Sequence, residues 1–206
     1  MTRGRYRSMI LMTVEESRLY IKELSPYLRA SLVLFSAGFV IGLILWLQFP
    51  AIADRFEGSV AGFVRIFRGL SRPQLAAAIF LNNALKTVAA IVLGALLGIV
   101  PALFLLANGL ALGVVFSASV SARGLGISLL SIVPHGVLEL PAVFLGTAIG
   151  LMIGGRVARE LFRRIPPAAG IHITRGLRFF CTVIAPLLLI ASLVEAFLTP
   201  GLVERK

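Results

Sequence analysis

Acid and thiol are both scarce in this chain. Asp and Glu together number 9 against 20 Lys and Arg, a formal net charge of +11. Cys181 is the single cysteine, which excludes an intrachain disulfide and a cysteine-built metal cluster. Charge of either sign is sparse: charged residues make up 14% of the chain and hydrophobic ones 58%, with a mean hydropathy of +0.97. That balance excludes an ordinary soluble domain. Aromatic–basic interleaving and the known nucleic-acid motifs are missing, so the basic surplus does not point to nucleic acid. The basic residues instead flank apolar runs, as topology signals and contacts with anionic headgroups do. Internal repeats are also missing, which argues against the inverted-repeat transporter folds.

What the sequence does hold is long apolar runs. They predict an all-α fold, a polytopic membrane helix bundle of about five spans at about 20 residues each. Residues 1–29 form a basic amphipathic lead, in which Thr13 and Glu16 have capping-box spacing ahead of a short helix from Val14 to Leu24, before Pro26. A single transmembrane domain follows over residues 30–200, with spans at about 31–49, 75–98, 101–120, 127–153 and 179–198, and a tail over 201–206. The first run is too long and too late for a cleaved signal peptide. Arg55, Arg65, Arg68 and Arg72 alternate with Phe56, Phe63, Ile66, Phe67 and Leu70, the pattern of an interfacial amphipathic helix over about 55–71. The 46 apolar residues from Leu75 to Val120 suit two crossings that turn near Ile99-Val100-Pro101. Pro134 and Pro141 interrupt the fourth run, which is either one kinked helix or a half-helix followed by a full one.

Six Lys and Arg lie in the lead and six between the last two spans, against seven on the opposite side. Twelve against seven predicts a multi-pass protein of the cell membrane with a cytoplasmic N-terminus. Small residues recur four apart in every span: Gly38 and Gly42, Gly94 and Gly98, Gly109 and Gly113, Gly146, Gly150 and Gly154, Ser192 and Ala196. Such pairs let helix backbones approach closely in lipid. Most are expected to pack within one bundle, and a share is left open for a seam between two copies.

The functional candidates are the polar residues inside apolar runs. His135 and Glu139, four apart, share one helix face after Pro134 and beside Gly136. A charged group at the bilayer centre costs roughly 2.5–3.5 kcal/mol on insertion scales, so a carboxylate there needs a compensating role. Asn82 and Lys86 likewise share a face, and Asn108 and Glu195 complete the set. Counted at about 1.5 Å per residue, Asn82 and His135 lie roughly 10–12 Å deep and Lys86 and Glu139 roughly 16–18 Å, which predicts a Lys86–Glu139 pair. Glu195 is expected shallowly on that same side, and the three spans carrying Asn82, His135 and Glu195 are expected to bound a hydrated pocket. Ser117, Ser119 and Ser121 have no nearby base and are expected to bond to the preceding turn. His172, in a basic loop, adds no third ligand to His135 and Glu139, and H-E-x-x-H is absent, so no metal or other cofactor is expected.

Taken in order, Phe80-Leu81-Asn82-Asn83, Gly94 and Gly98, Asn108-Gly109 with Gly113, the segment from Pro134 to Glu139, and the closing run from Ile190 through Glu195 to Pro200 resemble the stage II sporulation protein M family of membrane proteins. The resemblance covers about residues 30–200. On it, Asn82, Asn108, Gly109, Pro134, His135, Gly136, Glu139 and Glu195 match the family pattern, whereas Lys86 rests on the depth argument. The family's namesake sits in the membrane of sporulating bacteria and assembles with peptidoglycan-degrading partners during engulfment. The resemblance therefore implies a scaffold or anchor among other membrane or envelope proteins, not an enzyme. The alternative is a small transporter or channel that binds an ion, proton or lipid headgroup at the polar residues.

Overall fold

The computed structural model describes residues 11–49, 51, 69–166 and 168–197, without the side chains of residues 131–135 and 138. The expected interfacial helix over about 55–71 lies almost wholly outside the described residues. Six α-helices make up the described chain: α1 (Val14–Gln48), α2 (Arg72–Leu93), α3 (Ile99–Arg123), α4 (Leu125–Arg163), α5 (Ala169–Phe179) and α6 (Ala185–Phe197). A π-helical turn, Phe180–Ile184, joins the last two into one span. Five helical segments are long and apolar enough to cross a membrane. The protein is thus a multi-pass membrane helix bundle.

Side-chain caps set the starts of α1 and α2. The Thr13 hydroxyl accepts from Glu16 N–H while the Glu16 carboxylate accepts from Thr13 N–H, the reciprocal capping box. Ser71 and Gln74 do the same for α2, with Pro73 in its first turn. The helix expected to stop before Pro26 does not stop: α1 runs unbroken from Val14 to Gln48. Ser17, Tyr20 and Leu24 on one side of Pro26 and Ser31 and Phe35 on the other are all buried along one face. Packing on both sides offsets the roughly 3 kcal/mol that a proline costs a helix interior. Similarly α4 continues through Pro134 and Pro141 as one helix of 39 residues, about 58 Å long, so it overreaches a hydrocarbon core of about 30 Å.

The turn between α2 and α3 falls at Gly94–Gly98, ahead of the expected Ile99-Val100-Pro101. Gly98 takes a left-handed φ of 76° there. Pro101 then sits in the first turn of α3, where its missing N–H has no intrahelical partner to lose. The π turn has a comparable origin. Pro186 lacks an N–H and its ring would strike the Thr182 carbonyl, and one widened turn relieves that clash.

Glycines set the helix pairs. Gly38 and Gly42 of α1 meet the backbone of α3 at Leu106 and Leu110, numbers rising together, so these helices run parallel. Gly146 and Gly150 of α4 meet Thr87 and Ala90 of α2 in the same sense. By contrast, α1 and α4 run antiparallel, with Tyr27 beside Gly155, the Ser31 and Thr147 hydroxyls 3.5 Å apart, and Phe35 edge-on to Phe144 at 5.3 Å. The start of α1 and the α4–α5 connection consequently share one end of the bundle, and α6 finishes at the other. The buried core lies toward the shared end, where Tyr20 and Leu24 meet Ile91, Ile149, Met152, Ile153, Phe179 and Ile184.

Candidate functional site

The α2–α4 register decides which polar residues meet. Thr87 lies against Gly146 and Ala90 against Gly150, which puts Lys86 level with Leu145–Gly146. Glu139 is then about two turns nearer the start of α4 than Lys86 is to its own counterpart. The sequence reading had the two at one depth, because it fixed depth from assumed span ends rather than from packing. A lysine side chain is long and tends to point back toward its helix's N-terminus, the direction in which Glu139 lies. Glu139 is buried, 6% exposed, and Lys86 lies within electrostatic reach of its carboxylate.

The remaining candidates do not gather there. The Asn82 amide donates to Asn83 Oδ1 at 3.3 Å, on its own helix. Asn108 donates to Phe104 O at 2.7 Å, also on its own helix, while its neighbour Gly109 presses on the Phe35 and Phe39 backbone of α1. Gly176 of α5 touches Ile91, and counting from that contact along α5 and α6 puts Glu195 level with the first turn of α2, about 15 Å from the level of Asn82. By the same register the backbone of His135 lies within about a turn of the level of Glu195, so it is Asn82 that stands apart from the other two. Pro134 and His135 lie on α4, but their side chains are outside the described residues. At Gly136 an added Cβ would meet only Leu140 of the same helix, so among the described residues no second backbone makes the close approach its sequence context suggested.

Hydroxyls in the spans are largely bonded within their helices: Thr87 to Asn83 O at 2.7 Å, Ser117 to Gly113 O at 2.9 Å and Thr147 to Val143 O at 2.7 Å. Ser119 departs from the expected back-bond, sharing a hydrogen bond of 2.8 Å with Ser128 across the α3–α4 turn.

A second constellation, not singled out from sequence, occupies the end where α1 begins and α4 meets α5. Glu23 of α1 accepts from Arg175 Nη1 at 2.8 Å and Nη2 at 3.0 Å, a two-pronged pair, and from Arg156 Nη2 at 2.9 Å. Three helices are tied through that one carboxylate. Arg175 also lies 4.6 Å over the Tyr20 ring, which packs 5.1 Å from Phe179. Nearby, Glu160 accepts from Ala168 N–H at 3.0 Å and contacts His172 Nε2 at 3.1 Å. A guanidinium only donates, so His172 Nδ1 accepts from Arg156 Nη1 at 3.2 Å and Nε2 donates to Glu160. The sequence carried a signal for Glu160, the sole acid among the six arginines from Arg156 to Arg178, but none for Glu23, one of three glutamates between residues 14 and 29.

Two cavities open at this end. One of about 480 Å³ lies between α1 and α5, with Glu16, Leu19, Thr174, Arg175 and Arg178 in its wall. The other, about 270 Å³, is lined by Arg156, Arg159, Glu160, Arg163, Ile165 and His172. Among the described residues, no group of three or more His, Cys, Asp or Glu side chains is brought together.

The family described as stage II sporulation protein M matches residues 31–200. No curated protein and no solved structure matches the chain.

Proposed function

The chain belongs to the stage II sporulation protein M family, and from that membership we propose that it is a non-enzymatic scaffold of the cell membrane, holding partner membrane or envelope proteins in one assembly. The observation that carries this reading is where the polar groups within the spans are bonded. Thr87, Asn108, Ser117 and Thr147 donate to carbonyls of their own helices, an arrangement suited to packing rather than to an open route. Backbone contact at Gly38, Gly42, Gly109 and Gly113 leaves little room between α1 and α3 for a solute. In this reading the N-terminus and the α4–α5 connection face the cytoplasm, where their arginines meet anionic headgroups and partner proteins.

One observation favours a second reading, transport of a cation or proton. Glu139 is a buried carboxylate within a span, and Lys86 is in electrostatic reach. The two readings separate by experiment. On native gels, the chain extracted from its own membranes should migrate in an assembly larger than the purified chain alone. In liposomes the purified chain should leave proton and alkali-cation leakage at the protein-free rate. Migration as the isolated chain, with a flux removed by Glu139→Gln, would overturn the scaffold in favour of transport.

A further inference from the structure

Arg156, Arg159 and Arg163 follow one face of α4 at its last turns and line the 270 Å³ cavity with His172. Cations at a helix C-terminus are favoured by its dipole, but three guanidiniums at one cavity repel each other. Glu160 in the cavity wall, which is engaged by Ala168 N–H and His172, offsets only one of the three charges. Arg156 is held by Glu23. Among the described residues Arg159 donates through Nε to Gly155 O at 3.2 Å, and its terminal nitrogens meet no acceptor there. Positive charge is thus gathered at a shallow, open cavity with donors to spare.

The position is equally specific. Gly154 packs on Gly98 in the α2–α3 turn, which marks the end of the spans on this side. Arg156 to Arg163 lie about 3–13 Å farther along α4, and the headgroup layer is about 5–7 Å thick on each side of the hydrocarbon. Phe162 and Leu161 beside the cavity are 85% and 66% exposed, and Ile165 in its wall is 52% exposed, apolar groups suited to dipping into that layer.

We propose that the cavity bounded by Arg156, Arg159, Arg163 and His172 binds a phosphate group at the membrane surface. Guanidiniums offer paired, fixed donors that match phosphate oxygens, and the His172–Glu160 contact holds the cavity wall in place. This site does not depend on the scaffold reading, only on the placement of the bundle in a membrane. The phosphate comes from an anionic lipid headgroup or from a soluble phosphate, and one experiment distinguishes the two.

The full chain, purified in a neutral detergent at fixed ionic strength, is melted with short-chain phosphatidylglycerol, with phosphatidylcholine or with inorganic phosphate. Phosphatidylglycerol should raise the melting temperature by roughly 2–4 °C and phosphatidylcholine should not. The rise should vanish in Arg159→Gln with Arg163→Gln and persist in Arg18→Gln with Lys22→Gln, an equal loss of charge on the outer face of α1. Native mass spectrometry should show one phosphatidylglycerol retained by the wild-type chain and released in the cavity variant, a readout that does not rely on melting. An equal rise with inorganic phosphate, with the same dependence on the variants, would assign the site to a soluble phosphate. The proposal is overturned if no phosphate ligand shifts or stays with the wild type, or if both variants respond alike. The arginines would then be a solvated basic flank.

Discussion

Gly113 of α3 and Gly42 of α1 meet without a side chain between them: a Cβ built on Gly113 would stand 3.0 Å from the Gly42 Cα. Real Cβ contacts to a neighbouring backbone are looser than that, so the parallel α1–α3 pair tolerates nothing larger than hydrogen at this crossing. In lipid, where apolar burial gives little drive for helix association, such close approach is the chief source of cohesion. Gly113→Ala should therefore destabilise the bundle by about 1–3 kcal/mol, the usual cost of overpacking. Gly126→Ala is the matched control, because nothing stands within 4 Å of its added Cβ. There the melting temperature should hold or rise, since alanine is favoured over glycine in a helix by about 0.5–1 kcal/mol. Equal losses in the two variants would show that the α1–α3 contact is not formed.

The Glu23 link predicts a charge swap. Glu23 is 38% exposed at its side chain, so each of its ion pairs alone contributes about 0.2–1 kcal/mol. Glu23→Arg should do more harm than that figure implies, because it sets a third cation between Arg156 and Arg175. Combining it with Arg175→Glu should recover much of the loss, and the recovery should shrink in high salt as screening grows. Thermal melts of the three variants at two salt concentrations check this. A double variant no better than Glu23→Arg would place Arg175 elsewhere.

How much of this was legible depends on how local each signal is. The Thr13–Glu16 cap and the five crossings rest on contiguous residues, and both could be read directly. Pro101 was read as a turn marker although a proline serves as well in the first turn of a helix, which moved the α2–α3 turn by several residues. Pro186 passed unnoticed because a lone proline in an apolar run does not announce a π turn. The candidate site was harder. Depth counted from span ends equated Lys86 with Glu139, but the register is set by which glycine meets which backbone, and the Thr87–Gly146 contact is invisible in either segment alone. The Glu23–Arg156–Arg175 cluster joins residues more than a hundred positions apart, beyond any spacing rule.

The membrane orientation is a prediction of charge bias. With Cys181 replaced by serine, a cysteine at Ile171, 72% exposed on α5, should stay unlabelled when an impermeant thiol reagent is added to intact cells. A cysteine at Ser71, exposed just before α2 at the other end, should label readily. The reverse pattern would invert the protein in the membrane. Labelling of both or of neither would contradict the parallel packing of α2 and α4, which sets Ser71 and Ile171 at opposite ends.

Lys86 and Glu139 carry the sharpest remaining question, whether a long lysine reaching across about two turns is coupled to a buried carboxylate. Removing one member leaves the other's charge less compensated in a medium that solvates it poorly, so each single change costs more than the pair contributes. Lys86→Met and Glu139→Gln should each lower the melting temperature of the detergent-solubilised chain. The double variant should be more stable than the sum of the single losses allows, with a coupling of about 0.5–3 kcal/mol. Methionine keeps the length and apolar stem of the lysine, and glutamine keeps the shape of the glutamate, so the cycle isolates charge from packing. Strictly additive losses would mean that Lys86 turns to the headgroups instead, its side chain snorkelling along α2. In that case Glu139 would be held by other neighbours, and Glu139→Gln alone would decide whether its charge is needed.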